Sequence, residues 1–127
     1  MIQNQILDAV LAAITGTGSF ATVERGLKDG ADAADVPVAY IYNATEPRER
    51  LAFGQDVAAL GFSVALWSDT TQAAALDLAD GVVTAVLADA GLLALVSEIA
   101  VADMAESNFD GHTRRVVVLL FESERIE

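Results

Sequence analysis

Apolar positions along the chain change between helical and strand spacing, and each change marks a predicted element. The first segment has the spacing of one helix face, and the glycines that follow its last position, Gly16 and Gly18, end it. A longer helix is predicted from Asp69 to about Asp89, because Asp69 and Gln72 have capping-box spacing and Gly91 is a stop signal. The apolar positions of the first helix are Ile2, Ile6, Leu7, Val10, Leu11 and Ile14. The positions predicted to face the core in the long helix are Leu76, Ala79, Val83, Val86 and Leu87, and Leu78 and Val82 widen this apolar arc. The positions on its polar side are Asp77, Asp80, Thr84 and Ala88.

Five segments have strand character, at residues 20–24, 36–45, 56–68, 97–106 and 114–122. The second and third alternate in period two and are expected to pair antiparallel. The last contains a run from Val116 to Phe121 that is apolar at every position, which predicts an interior strand covered on both faces. Asp110-Gly111 between the last two strands is a hairpin signal.

This order of elements predicts an α+β fold. The expected form is a mainly antiparallel sheet of about five strands, with one long helix packed on a face and a short N-terminal helix. With 127 residues the chain fits one domain, over residues 1–127.

Charge is distributed unevenly. Asp29, Asp32 and Asp35 lie in a glycine-rich loop at 25–35, whereas four of the seven basic residues lie in two short groups. The first group is in a segment at 46–55 that combines Arg48, Glu49 and Arg50 with Leu51 and Phe53, and the second is Arg114 with Arg115. Both groups fit either solvated surface charge or docking onto acidic patches of identical neighbours, and the two apolar residues favour an intersubunit contact at 46–55.

Composition excludes several functions. Nineteen acidic residues give a formal net charge of −12, which repels phosphate and argues against tight binding to nucleic acid or an anionic membrane. The longest uncharged stretch, from Ala9 to Val23, contains two glycines and is shorter than the roughly 20 residues of a spanning helix. The first residues lack the positive region of a signal peptide, so we expect a cytoplasmic product. The absence of cysteine excludes disulfides and thiolate chemistry.

No catalytic motif accompanies the candidate residues. His112, the single histidine, follows the Asp-Gly turn and has no nucleophile motif beside it, so it is interpreted as a surface residue. The three loop aspartates lack the spacing of a calcium loop, and Gly16-Thr17-Gly18 follows a helix where a dinucleotide fingerprint would follow a strand. We therefore predict a protein that is not an enzyme and has no cofactor, metal or catalytic residue.

The order of elements carries a family resemblance. A short amphipathic helix precedes a strand that ends in Val23-Glu24-Arg25-Gly26, and then come Val36-Pro37-Val38-Ala39-Tyr40-Ile41, its paired strand and a single long helix. Over nearly the whole chain, at the level of pattern and size, this resembles the tail terminator proteins of long-tailed phages. It is also similar to the tail-completion proteins of the phage neck.

The resemblance implies a hexameric ring that stops growth of the tail tube and joins the tail to the head. The implied partners are further copies of the chain, the tail tube protein and the head-tail connector proteins, in a virion assembled in the host cytoplasm. DNA would pass through such a ring without tight binding, with Asp29, Asp32 and Asp35 as candidates for its lumen. The interface candidates are Arg48, Glu49, Arg50, Leu51, Phe53, Arg114 and Arg115.

Three other functions fit the same residues. One is a head-tail connector or stopper in the same particle. Another is a small-molecule-binding α+β dimer whose pocket between sheet and helix would be lined by Tyr40, Tyr42 or Trp67. The third is a hydrolase or isomerase built on acidic residues, for which no nucleophile and base can be placed.

Overall fold

The computed structural model describes residues 2–26, 36–45, 48–50, 56–108 and 114–126. Three helices and six strands follow one another along these residues. In chain order they are α1 (Ile2–Gly16), β1 (Thr22–Arg25), β2 (Val38–Thr45), β3 (Arg48–Arg50), β4 (Asp56–Asp69), α2 (Gln72–Ala88), α3 (Ala90–Leu93), β5 (Glu98–Asn108) and β6 (Arg114–Ile126).

The strands form one sheet in the order β1-β2-β4-β6-β5, and β3 pairs with β4 beyond the end of β2. Every pair is antiparallel except β1 with β2, which is parallel. A parallel pair needs a connection of about a dozen residues, which the chain between Arg25 and Val38 provides. The predicted fold class is confirmed, with two refinements. The sheet has a sixth, short strand, and α1 is nearly as long as α2.

The pairing of β4 with β6 forms the centre of the sheet. It runs without a bulge from Val57 opposite Ile126 to Asp69 opposite Arg114. Directly paired residues share a face, so Phe62 and Phe121 stack with ring centroids 5.2 Å apart. The predicted interior position of the last strand is thus confirmed, because β6 lies between β4 and β5.

One face of the sheet packs against the helices. The core joins alternate residues of β2, β4 and β6 to the apolar stripes of α1 and α2. Ile6, Val10 and Ile14 of α1 are fully buried there, as the helical spacing predicted. Arg25 also ties β1 to α1, because its guanidinium donates to Asp8 at 3.2 Å and to Asn4 at 3.1 Å.

The ends of α2 differ from the prediction. Its N-cap is Thr71, whose hydroxyl accepts from the backbone N–H of Ala74 at 3.2 Å, so the capping role predicted for Asp69 is wrong. Asp69 is instead the last residue of β4, where it binds an arginine. The predicted stop at Gly91 is also wrong. Asp89 ends α2 and then caps α3, in which Gly91 is helical.

The buried stripe of α2 consists of Ala75, Ala79, Val82 and Val86. This stripe is rotated from the predicted one, since Leu76, Val83 and Leu87 lie half-buried at its margin. The predicted polar side is confirmed, because Asp77, Asp80, Thr84 and Ala88 are all exposed.

Val86→Asp is expected to unfold the protein. Val86 is 0% exposed, and an unpaired carboxylate there costs several kcal/mol against a total stability of about 5 to 15 kcal/mol. Leu87→Asp, at the margin of the stripe, should cost less, and Thr84→Asp on the exposed side should change stability by about 0.5 kcal/mol or less. Urea denaturation measures all three, and equal losses for Val86→Asp and Thr84→Asp would contradict this packing.

Candidate assembly surface

The second face of the sheet carries no helix among the described residues, and we call it the open face. On β6, Val117, Leu119 and Phe121 are fully buried in the core with the helices, whereas Val116, Val118 and Leu120 alternate with them and are half-buried. The prediction that this strand is covered on both faces is therefore not met by the described elements. Three buried apolar residues of the open face, Val38, Tyr40 and Ala65, and the buried Ser63 lie outside the core that the helices form.

An apolar strip runs along the open face where β6 meets its neighbours. We define it as Val116, Val118 and Leu120 of β6 with Ala105 of β5, which is directly opposite Val118. Ala105 is exposed and the three others are half-buried. Apolar side chains aligned in this way on a sheet face are typical of a surface that another layer covers.

Glutamates continue the open face toward the C-terminal end of β6. Glu98 of β5 is directly opposite Glu124, and Glu122 lies two residues from Glu124 on the same face. All three are exposed. Like charges directly opposite each other weaken a sheet, so this group, the acidic border, has a stability cost that a cationic partner would relieve.

Arg114 and Arg115, two of the predicted interface residues, bind acceptors within the chain. Arg114 forms two hydrogen bonds to the carboxylate of Asp69, at 2.6 and 3.0 Å. The hydrogen bond from Arg114 lowers the pKa of Asp69 below its ordinary value, and the positive charge acts in the same direction. Arg115 donates to Glu106 at 2.8 Å and to the carbonyl oxygen of Thr70 at 3.1 Å.

These bonds fasten the start of β6 to the turn before α2. Gln72, the first residue of α2, also donates to Glu106, at 3.3 Å. The side chains of Arg115 and Glu106 are only 20% and 18% exposed, so water screens their interaction less than that of a surface pair. Both arginines therefore have a structural role in the monomer, whatever further contact they make.

Arg48, Glu49 and Arg50 form β3, at the opposite end of the sheet. Arg48 is opposite Ala58 and Arg50 is opposite Asp56. Because Ala58 is also opposite Arg125 of β6, the register brings a third arginine to this end. We call Arg48, Arg50 and Arg125 the arginine end. Sequence reasoning missed Arg125, since its neighbours follow only from the pairing register.

The other predicted site residues lie outside the described part of the chain. They are Leu51, Phe53, Asp29, Asp32, Asp35 and His112, together with the Asp110-Gly111 turn.

A cleft of about 380 Å³ opens on the helix side, between the first half of α2 and the segment that follows α1. The predicted pocket residues Tyr40, Tyr42 and Trp67 do not line it, because all three belong to the open face. The cleft is lined by Thr17, Ser19, Phe20, Pro37, Thr70, Ala74, Asp77, Leu78, Gly81 and Val82.

Burial raises the pKa of the Tyr42 hydroxyl above its ordinary value.

The described residues contain no group of three or more histidine or acidic side chains close enough to hold a metal ion. A helix long and apolar enough to cross a membrane is likewise missing from the ranges that the structure describes.

Comparisons with known proteins gave a match in structure alone. No protein-family model matches the chain, and no curated protein sequence matches it. Among solved structures, it is similar to a chain of the virion of a native gene transfer agent particle, with a TM-score of 0.57 and 13% sequence identity. The match covers 98% of this chain and 94% of that chain. At this identity the likeness shows the fold, and it extends from end to end.

Asp69→Asn is expected to destabilise the protein at neutral pH and not at strongly acidic pH. The pKa of Asp69 is lower in the folded protein than in the unfolded chain, so its ionised carboxylate stabilises the fold. This stabilisation is complete above the ordinary pKa of 3.8 and is lost as the pH falls through the pKa of the folded state. Melting temperatures measured between pH 7 and pH 2 test this. In an Arg114→Gln background the same substitution should have little effect, and an equal effect in both backgrounds would contradict the pairing.

Proposed function

We propose that this chain is a structural virion protein of a phage-like particle, a tail terminator that forms a ring at the end of the tail tube and joins the tail to the head. The observation that supports this most directly is the end-to-end likeness in fold to a chain of a gene transfer agent virion. The pattern of elements in the sequence points to the same class of protein independently of that likeness.

The surface of the described part supports assembly more than catalysis. It combines the apolar strip with the acidic border, and interfaces are built from apolar anchors with a charged rim. The segment at 46–55, with Arg48, Glu49, Arg50, Leu51 and Phe53, is proposed as an intersubunit contact because it pairs large apolar residues with charge. A head-tail connector or stopper is the second candidate, since the likeness names a virion without a position in it.

The purified protein is expected to form a six-subunit species, or a ring that caps tail tubes, in native mass spectrometry and negative-stain electron microscopy. Phe53→Ala with Arg50→Glu should give a folded monomer that forms neither, because it removes an apolar anchor and reverses a charge at the proposed contact. A dimer that carries a bound metabolite would favour the small-molecule alternative instead. An unchanged oligomer mass in the double variant would show that the segment at 46–55 is not an intersubunit contact.

Binding of the assembled ring to DNA is expected to be negligible at physiological salt. Each copy has a net charge of −12, and three described arginines, Arg25, Arg114 and Arg115, already pair with carboxylates of the chain. Few cationic side chains are therefore left to neutralise phosphates, and DNA binding by counterion release requires such side chains. We further propose that Asp29, Asp32 and Asp35 contribute acidic charge to the lumen.

An electrophoretic assay at low salt is the stringent test, because that condition exaggerates electrostatic attraction. Sub-micromolar affinity there, lost on Arg114→Ala with Arg115→Ala in a variant that circular dichroism shows to be folded, would identify a phosphate site and contradict a lumen that repels DNA.

A further inference from the structure

The cleft on the helix side of the sheet has no part in the assembly proposed above. Its volume of about 380 Å³ is within the range of ligand-binding pockets, roughly 300 to 1,000 Å³. Apolar side chains form much of its wall, and they are Phe20, Pro37, Leu78 and Val82. The first three are only half-buried, so the cleft keeps apolar surface in contact with solvent.

The apolar arc of α2 is wider than the core requires. The core buries the stripe that contains Ala79 and Val82, whereas Leu78 lies beside this stripe and lines the cleft. Leu78 is not among the described side chains that pack against the core. An apolar arc that extends past the core is typical of a helix that is covered on a second side. The cleft is on that second side.

Gly81 keeps the cleft open at the middle of α2. It lies in the interior of a 17-residue helix, where a glycine destabilises the helix relative to alanine. A Cβ atom at this position would meet no heavy atom within 4 Å, so packing within the chain does not require a glycine. Ala74 lines the cleft two turns earlier on the same side of α2. Small residues at both positions let another backbone approach α2 closely over about 10 Å, a length that suits a polypeptide segment.

The polar groups of the cleft determine the charge of a suitable ligand. Two hydroxyls are already engaged, because Thr17 donates to the carbonyl oxygen of Ile14 at 2.7 Å and Thr70 donates to that of Thr71 at 3.3 Å. Asp77 is exposed at the rim and forms no hydrogen bond or ion pair with the residues that the structure describes. The described lining contains no lysine or arginine, so it offers an anion no partner and offers a cation one carboxylate.

We propose that the cleft binds a segment of a different protein of the particle, one that carries a large apolar side chain next to a lysine or arginine. The apolar side chain packs against Phe20 and Leu78, and the cationic group binds Asp77. A different protein is favoured over a second copy because each copy has a net charge of −12. The cleft lies on the helix side, away from the open face, so this binding is separate from ring formation.

A capped dipeptide of phenylalanine and lysine is the probe for this chemistry. Its binding is followed through the backbone amide resonances of the isotope-labelled protein. We expect saturable shifts centred on Ala74 and Gly81, with a Kd on the order of a millimolar. The same dipeptide with glutamate in place of lysine should bind about fivefold more weakly, because Asp77 then faces a like charge.

Two pairs of variants locate the probe. Gly81→Leu fills the cleft and should abolish binding, whereas Thr84→Leu, on the exposed side of α2 and outside the lining, should leave the Kd unchanged. Both should melt at or above the wild-type temperature, because leucine favours a helix more than glycine or threonine does. Asp77→Asn should remove most of the preference for the lysine probe, and Asp80→Asn, which is exposed outside the lining, should retain it.

Four results would overturn the proposal. They are the absence of saturable shifts at about 10 mM probe, binding that Gly81→Leu leaves intact, phenethylamine binding as tightly as the dipeptide, and concentration-dependent shifts of Gly81 in the protein alone. The third would identify a site for small amines, and the fourth would identify a second copy as the occupant. If Gly81→Leu does not fold, equal effects of Asp77→Asn and Asp80→Asn would overturn the proposal instead. None of these results bears on the ring, which the oligomer mass tests.

Discussion

The unbroken pairing of β4 with β6 is the constraint on which the rest of the structure depends. Because no bulge interrupts it, the parity of each residue decides its face along the whole length of both strands. The even positions from Leu60 to Leu66 and the odd positions from Val117 to Phe121 form the core with α1 and α2. A slip of β6 by one residue would move Phe121 out of that core and turn Glu122 to the helix side, so the register is strongly specified.

The same parity produces the polarity of the molecule. Helices cover one face, and the other keeps an apolar strip that ends in glutamates. No helix among the described residues covers that strip. A second copy can cover it, which connects the fold to the assembly proposed for it.

Much of the fold could be predicted from the sequence, because the apolar spacing of α1, β2, β4 and β6 follows directly from which side is buried. Local sequence signals predicted the structure less accurately where a tertiary contact competes with them. Asp69 has the spacing of a helix cap, but Arg114 binds it at the end of β4 and Thr71 caps α2 instead. The apolar run from Val116 to Phe121 correctly predicted an interior strand. It did not predict that the described helices cover only one face of that strand. The approach of Arg125 to Arg48 depends on two registers that no spacing in the sequence encodes.

Chemical labelling of the apolar strip tests most directly whether assembly covers the open face. The chain has no cysteine, so Leu120→Cys introduces a single thiol on the strip, and Thr84→Cys introduces a single thiol on the exposed side of α2 as the matched control. A maleimide should label the Leu120→Cys variant much more slowly in the assembled protein than in the monomer, because a second copy covers the strip. The Thr84→Cys variant should be labelled at the same rate in both. Equal labelling rates for Leu120→Cys in the monomer and in the assembly would contradict the account of why the open face is apolar.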